Sequence, residues 1–284
     1  MDLTNKEVLL NILKENNIFL KKSLGQNFLV DKNIINKIIC AGELKKSDIV
    51  LEIGAGIGTL TLELAKYSKK VIAIEIDKRF EKILKENLKD FDNVEIIIDD
   101  ILKLDLSKII TPPYKIFGNL PYYISGTFLG EYLKRGPYAD IMVFMLQKEM
   151  AERIISTPGS KRYSPLSLLL GLTYKVETIC FVPSHLFFPI PEVNSILLKF
   201  IYSSKFEKIK DKEIFFRLIK SAFRHRRKYL INNLKNEFPS YPWEEIFKNL
   251  CIDLKERAEN LPLEKYIDLS NFIFNYDIKN FLIC

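Results

Sequence analysis

Three short runs in this chain combine residue types that chemistry can use. Glu52-Ile53-Gly54-Ala55-Gly56-Ile57-Gly58 closes an apolar run with alternating glycines. Glycine accepts left-handed backbone at no steric cost and lets the main chain approach a ligand closely, so such a loop can cradle a group at the start of the helix that follows. About 20 residues farther on, Ile74-Glu75-Ile76-Asp77 ends a second apolar run in a carboxylate. Glu75 there can accept both hydroxyls of a ribose. A third run ends Asp99-Asp100-Ile101, where an acid can accept from the exocyclic amine of an adenine held between Ile76 and Ile101. Asp100 is the better candidate, because Asp99 can cap the turn. Each run has a plainer structural reading, and a glycine turn can serve strand-to-helix packing alone; together they describe a nucleoside site.

The glycine spacing separates two classes of nucleoside cofactor. A dinucleotide fingerprint needs its third glycine at position 59, which is Thr59 here. The spacing instead resembles the first motif of S-adenosylmethionine methyltransferases. A fourth run, Lys115-Ile116-Phe117-Gly118, leads into Asn119-Leu120-Pro121-Tyr122, which has the form of an amino-methyltransferase motif. An exocyclic amine conjugated to a purine is a poor nucleophile until its lone pair is freed and aimed. Two acceptors do this, and the expected pair is the Asn119 side-chain oxygen and the Pro121 backbone carbonyl. Tyr122 then stacks on the base, a contact of roughly 1–3 kcal/mol. The reaction needs no metal, no covalent nucleophile and no strong base, since the proton can leave after transfer.

The elements that must hold these groups are legible from hydropathy. Short apolar runs alternate with amphipathic segments, predicting strands at Ile49–Ile53, Val71–Ile76, Val94–Ile98, Lys115–Phe117 and Ile141–Leu146. Helices are expected at Leu60–Tyr67, Arg79–Leu88, Thr127–Lys134 and Lys148–Ile155. That pattern is an α/β doubly wound, Rossmann-like sheet. A lead-in helix within residues 6–20 places Val8, Leu9, Ile12, Leu13 and Phe19 on one face. After a polar stretch at Tyr202–Lys212, helices are expected at Glu213–Asn236, Trp243–Asn249, Glu256–Asn260 and Leu263–Phe274. The organisation is a lead-in over 1–22, a catalytic, cofactor-binding domain over 23–201 and a smaller C-terminal helical domain over 202–284.

The chain has 43 Lys and Arg against 36 Asp and Glu, a net charge of +7, which suits a polyanionic partner. The window Arg217–Lys228 contains Arg217, Lys220, Arg224, Arg226, Arg227 and Lys228 without an acidic residue. Like charges along a helix are unfavourable unless phosphates neutralise them, so Arg224, Arg226, Arg227 and Lys228 are candidate RNA contacts, against the reading of a solvated helix end. Phe223 and Tyr229 beside them read as core contacts. Four separated cysteines and two separated histidines have neither zinc nor triad spacing, so no metal is expected. The charged N-terminus has no signal-peptide or membrane pattern, and the expected location is cytoplasmic, with no membrane partner.

With these motifs together, the chain resembles the ribosomal RNA adenine N6,N6-dimethyltransferase family nearly end to end, its small-subunit branch most closely. Leu24-Gly25-Gln26-Asn27-Phe28-Leu29-Val30-Asp31 is similar to the family's N-terminal cofactor motif and implies that Asn27 and Leu29 line the methionine end; by themselves these residues read as a loop before a helix. The resemblance implies S-adenosylmethionine as cofactor, held by Asn27, Leu29, Gly54, Gly56, Glu75, Ile76, Asp100, Ile101 and Asn119. It implies a methyl-acceptor site at Asn119, Pro121 and Tyr122. Phe187-Phe188-Pro189-Ile190-Pro191-Glu192-Val193-Asn194-Ser195 matches a family segment and implies that Phe187 covers the other face of the adenine; by itself Phe187 reads as a core or loop-packing residue. Arg257-Ala258-Glu259-Asn260-Leu261 favours the small-subunit branch over the large-subunit resistance enzymes. The implied substrate is a pair of adjacent adenines in the 3'-terminal hairpin loop of small-subunit RNA, within an immature 30S particle, and the implied enzyme is a monomer. The chain departs from the family pattern at Tyr123 and Asn194. A cofactor-binding assembly or transcription factor is the alternative from another class; Asn119-Leu120-Pro121-Tyr122 argues for retained catalysis. A nicotinamide oxidoreductase is disfavoured by the glycine spacing.

Overall fold

The computed structural model describes residues 2–21 and 24–281, and the side chains of these except Tyr122, Lys279, Asn280 and Phe281. Helix α1 (Lys6–Glu15) starts at Asn5, whose side chain accepts the Glu7 N–H at 2.8 Å, satisfying one of the free amides of the first turn. It buries Leu9, Ile12 and Leu13. Phe19, expected on the same face, is 83% exposed because the helix has already ended. Strand β1 (Phe28–Leu29) and helix α2 (Lys32–Ala41) follow, the helix capped by Asp31.

The sheet is built from β2 (Ile49–Ile53), β3 (Lys70–Glu75), β4 (Val94–Ile98), β5 (Lys115–Asn119) and β6 (Ile141–Gln147), parallel in the order β4-β3-β2-β5-β6. Helices α3 (Thr59–Tyr67), α4 (Glu81–Asn87) and α5 (Tyr122–Arg135) connect them. Strands β2, β3, β5 and β6 are buried almost throughout, which is why each reads as an unbroken apolar run. Because β2 lies between β3 and β5, the sheet changes its direction of growth there. A crevice opens at the carboxyl ends of the strands at such a point.

Three elements escape the alternating pattern. Strands β7 (Tyr174–Val182) and β9 (Ser195–Tyr202) complete a seven-stranded sheet, β9 pairing antiparallel with β6 so that Met145 faces Leu197. No helix separates β9 from the preceding β8 (Phe187–Phe188), so the βα alternation that revealed the other strands is missing. Strand β8 pairs antiparallel with β1, Leu29 opposite Phe187. Helix α5 begins ahead of the expected Thr127, since Pro121 occupies its cap with φ −54°, the geometry proline brings to a helix start.

The chain forms two compact units: one from residues up to Ala151 with Val176–Tyr202, the other from Glu152–Lys175 with the chain from Ser203 onward. A single cut near residue 202 therefore misses that Glu152–Lys175, including α7 (Pro165–Thr173), belongs with the helical unit. Helix α6 (Lys148–Ile154) spans the first crossing. The helical unit continues with α8 (Lys212–Ala222), α9 (Leu230–Glu237), α10 (Trp243–Asn249) and α11 (Leu263–Phe281). The expected single helix Glu213–Asn236 is broken: α8 ends at Ala222 and the basic run turns outward as an exposed loop before α9. No described helix is long and apolar enough to cross a membrane.

Candidate active site

A cleft opens in the first unit at the carboxyl ends of β2, β3, β4 and β5. Its wall includes Asn27, Leu29, Gly54, Gly56, Glu75, Ile76, Asp100, Ile101, Asn119 and Pro121. Residues drawn from five separate stretches of chain thus converge on one crevice, mostly apolar with a few convergent polar groups, as ligand sites are.

The floor is the glycine loop. Gly54 and Gly56 sit at φ +81° and +57°, and a Cβ on Gly56 would meet the Phe28 ring at 2.8 Å, so no larger residue keeps this path. The Gly56 N–H donates to Glu75 Oε2 at 2.7 Å and the Asp77 N–H donates to Glu75 Oε1 at 2.9 Å. Two main-chain donors hold the Glu75 carboxyl in place, while burial raises its pKa. Beneath the loop, Glu52 is 2% exposed and its Oε2 has no hydrogen-bond partner among the described residues. Burial foremost, and the charge of Glu75, push its pKa up to about 8. Asp99 accepts the Asp100 N–H at 2.7 Å, capping the turn as expected, and Asp100 accepts the Leu102 N–H at 3.0 Å through one oxygen.

The rim is a segment latched from outside. Gln26 Nε2 donates to Asp77 Oδ2 at 2.7 Å, and Arg79 Nε donates to Asp77 Oδ1 at 2.9 Å while Arg79 Nη1 donates to the Phe19 carbonyl at 2.8 Å. The Arg79 guanidinium, with Gln26, holds the Asp77 carboxyl at about 2. The segment so tied carries Asn27, whose carbonyl accepts from Asn119 Nδ2 at 2.9 Å. Because a carbonyl can only accept, the nitrogen of the Asn119 amide must face it. Oδ1 is left without a partner among the described residues.

Two expected roles do not fit. The Pro121 carbonyl already accepts the Ile124 N–H at 3.1 Å, the Ser125 N–H at 3.3 Å and the Ser125 hydroxyl at 3.0 Å. Its two lone pairs are committed to starting α5, so it is not an acceptor for a substrate amine. The carbonyl of Leu120, one residue earlier, has no hydrogen bond among the described residues. Phe187 is 3% exposed and packed in the core through the β1–β8 pair rather than on the cleft wall; neither ring face is open to a base in this conformation. The Tyr122 side chain lies outside the described set. Tyr123, on the first turn of α5, does line the cleft and is 49% exposed, and burial and the nearby charges of Asp100 and Glu75 raise its pKa. Its departure from the family pattern therefore sits at the site itself. Gln26 and Asp77 were missed because a latch between segments 51 positions apart leaves no local periodicity.

The candidate RNA residues lie in the other unit. Arg224, Arg227 and Lys228 are exposed, whereas Arg226, also exposed, donates through Nη2 to the carbonyls of Lys161 at 2.6 Å and Tyr163 at 3.0 Å. Phe223 stacks on Tyr266, as a core contact should, but Tyr229 is 42% exposed.

Sheet order, glycine loop and edge carboxylates define a Rossmann-like class I methyltransferase that uses S-adenosylmethionine. Residues 17–275 match the ribosomal RNA adenine dimethylase family, and the chain belongs to it. It is 39% identical over 278 residues to "Ribosomal RNA small subunit methyltransferase A" of Listeria innocua, covering 93% of this chain and 94% of that protein. A protein of the same name from Clostridioides difficile is 39% identical over 276 residues, covering 92% and 93%. Among solved structures, a dimethyladenosine transferase from Plasmodium falciparum superposes with a TM-score of 0.73 at 28% identity, over 87% of this chain and 96% of that one. The 23S rRNA methyltransferase ErmE shares the fold, with a TM-score of 0.67 at 24% identity over 86% and 98%.

Proposed function

We propose that this enzyme dimethylates N6 of adjacent adenines in the 3'-terminal hairpin loop of small-subunit ribosomal RNA, acting as a monomer on an immature 30S particle in the cytoplasm. The observation that carries the reading is the Asn119 amide, turned by the Asn27 carbonyl so that Oδ1 remains to accept one N6 hydrogen. The Leu120 carbonyl, free where the Pro121 carbonyl is committed, takes the second. Two acceptors on one nitrogen draw its lone pair out of conjugation and fix its direction.

The cofactor site fits its ligand. The positive-φ glycines leave room for close main-chain approach, the Glu75 carboxyl is preset for a ribose diol, and Asp100 keeps one oxygen for an adenine amine between Ile76 and Ile101. Asn27 and Leu29 border the methionine end. S-adenosylmethionine supplies an activated methyl on a sulfonium. The chain's part is to hold the amine in line, to exclude water with Leu29, Ile76 and Ile101, and to leave the released proton a path to solvent. Arg224, Arg227 and Lys228 bind phosphates. The relatives named for small-subunit RNA support that substrate over large-subunit RNA.

The test is transfer of labelled methyl from S-adenosylmethionine to immature small subunits, followed by nucleoside chromatography. N6,N6-dimethyladenosine in small-subunit RNA is expected. Label confined to large-subunit RNA, or no label, overturns the proposal.

A further inference from the structure

The loop between α8 and α9 brings Arg224, His225, Arg226, Arg227 and Lys228 together on an exposed turn with no acidic residue among them. Left alone, such a run would spread to relieve its own repulsion. It does not, and the reason lies beneath it.

Asn233, on α9, is 2% exposed. Its Nδ2 donates to the carbonyls of Ala222 at 2.8 Å and His225 at 3.2 Å, and its own backbone carbonyl accepts the Ser221 hydroxyl at 2.8 Å. One amide thus closes the end of α8 and reaches into the middle of the basic turn. Its Oδ1 is buried without a partner among the described residues, so the side chain is placed for its two donors at a desolvation cost on its acceptor. Phe223 anchors the start of the turn, its ring stacked on Tyr266 at 6.0 Å between centroids. Arg226 clips the turn laterally through the carbonyls of Lys161 and Tyr163. These three contacts fix the start and the centre of the loop. Arg224, Arg227 and Lys228 remain exposed, their side chains without a hydrogen-bond or ion-pair partner among the described residues.

We propose that Asn233 and Arg226 are positioning residues that hold the α8–α9 turn in one shape, so that Arg224, Arg227 and Lys228 meet the phosphates of an RNA backbone. This rests on the RNA surface assigned above and goes beyond it. A neutral, buried side chain that touches no RNA sets how many phosphates are engaged, and one of the four basic candidates acts through the turn.

Titration of a labelled RNA hairpin with an adenine-containing loop, at several potassium chloride concentrations, tests both levels. Replacing Arg224, Arg227 and Lys228 together by Gln is expected to weaken binding and to flatten the plot of log K against log salt by about 2, since each phosphate contact adds roughly 0.7–0.9 to that slope. Binding by this triple variant that matches wild type removes the surface itself and this inference with it. Given a weakened triple variant, Asn233→Ala is expected to flatten the slope by more than one contact although no charge has changed, with at least a tenfold loss of affinity. A folded Asn233→Ala protein with wild-type slope and affinity overturns the proposal while leaving the RNA surface standing. Should Asn233→Ala not fold, Arg226→Gln decides: flattening by more than one contact supports positioning, and one contact or less overturns it.

Discussion

The side-chain amide of Asn119 donates to the backbone carbonyl of Asn27 at 2.9 Å, across 92 positions of sequence. This bond ties the rim of the cleft to the end of β5 and settles which way the amide points. Aligning the acceptor for the substrate and ordering the rim segment are therefore one event. Replacing Asn119 by Ala removes both. The expected outcome is a loss of about 10²–10³ in kcat, the effect of deleting one preorganised polar group, in a protein whose far-UV circular dichroism matches wild type. Single-turnover methyl transfer on small-subunit RNA reads it, and near-normal turnover would sink the proposed role.

Gly56 leaves no room for a side chain. Ala at this position must adopt φ near +57° and push aside the Phe28 ring, which packs edge-on against Phe80 with centroids 5.7 Å apart. Strain of this kind costs on the order of 1–3 kcal/mol. Gly56→Ala is expected to weaken S-adenosylhomocysteine binding by tenfold or more in calorimetry, because the N–H that anchors Glu75 moves with the loop.

The pKa of Glu52, raised from 4.5 to about 8 by burial, gives stability a pH dependence. Between those values the folded protein binds a proton that the unfolded chain has released. This contribution is fully present below about pH 4.5 and is lost as pH rises through about 8. Glu75, also raised, adds in the same direction. A series of thermal unfolding midpoints from pH 5 to 9 should fall for wild type and fall less for Glu52→Gln, which stays neutral throughout. Parallel curves for the two proteins would refute the assignment.

Phe187 offers a direct contrast between packing and base contact. At 3% exposure, its truncation to Ala is expected to cost about 3–5 kcal/mol of stability and to lower the unfolding temperature without RNA present. A base-stacking side chain on an open wall would instead raise KM for RNA and leave the melting temperature unchanged.

Much of the site was legible because sheet edges punctuate a parallel sheet in a regular way. Each apolar run ends where the chain must turn, so Gly54, Glu75, Asp100 and Asn119 announce themselves at the ends of β2, β3, β4 and β5. What stayed hidden is non-local. The commitment of the Pro121 carbonyl depends on where α5 starts, and Thr127 looked like a better beginning than Tyr122 because Gly126 and the aromatic pair obscure the period. Residue type alone favours packing for Phe187, but the two-residue pairing with Leu29 that buries it is one no window could detect. The break between α8 and α9 replaces a continuous amphipathic pattern, and the amide that enforces it, Asn233, looks in sequence like any polar helical residue.

The excursion of Glu152–Lys175 into the helical unit also orders events during synthesis. Helix α7 leaves the ribosome before β9, carrying Leu168, Leu170 and Leu172, each at most 1% exposed in the finished protein. Helix α11 packs beside α7 in the same unit, with Leu263 3.9 Å from the Cβ position of Gly171, and α11 is made after β9. The sheet can close once Tyr202 has emerged, while α7 can pack against α11 only after the chain beyond Leu263 has been made. Translation speed between these two points thus sets how long the nascent chain carries an adhesive face.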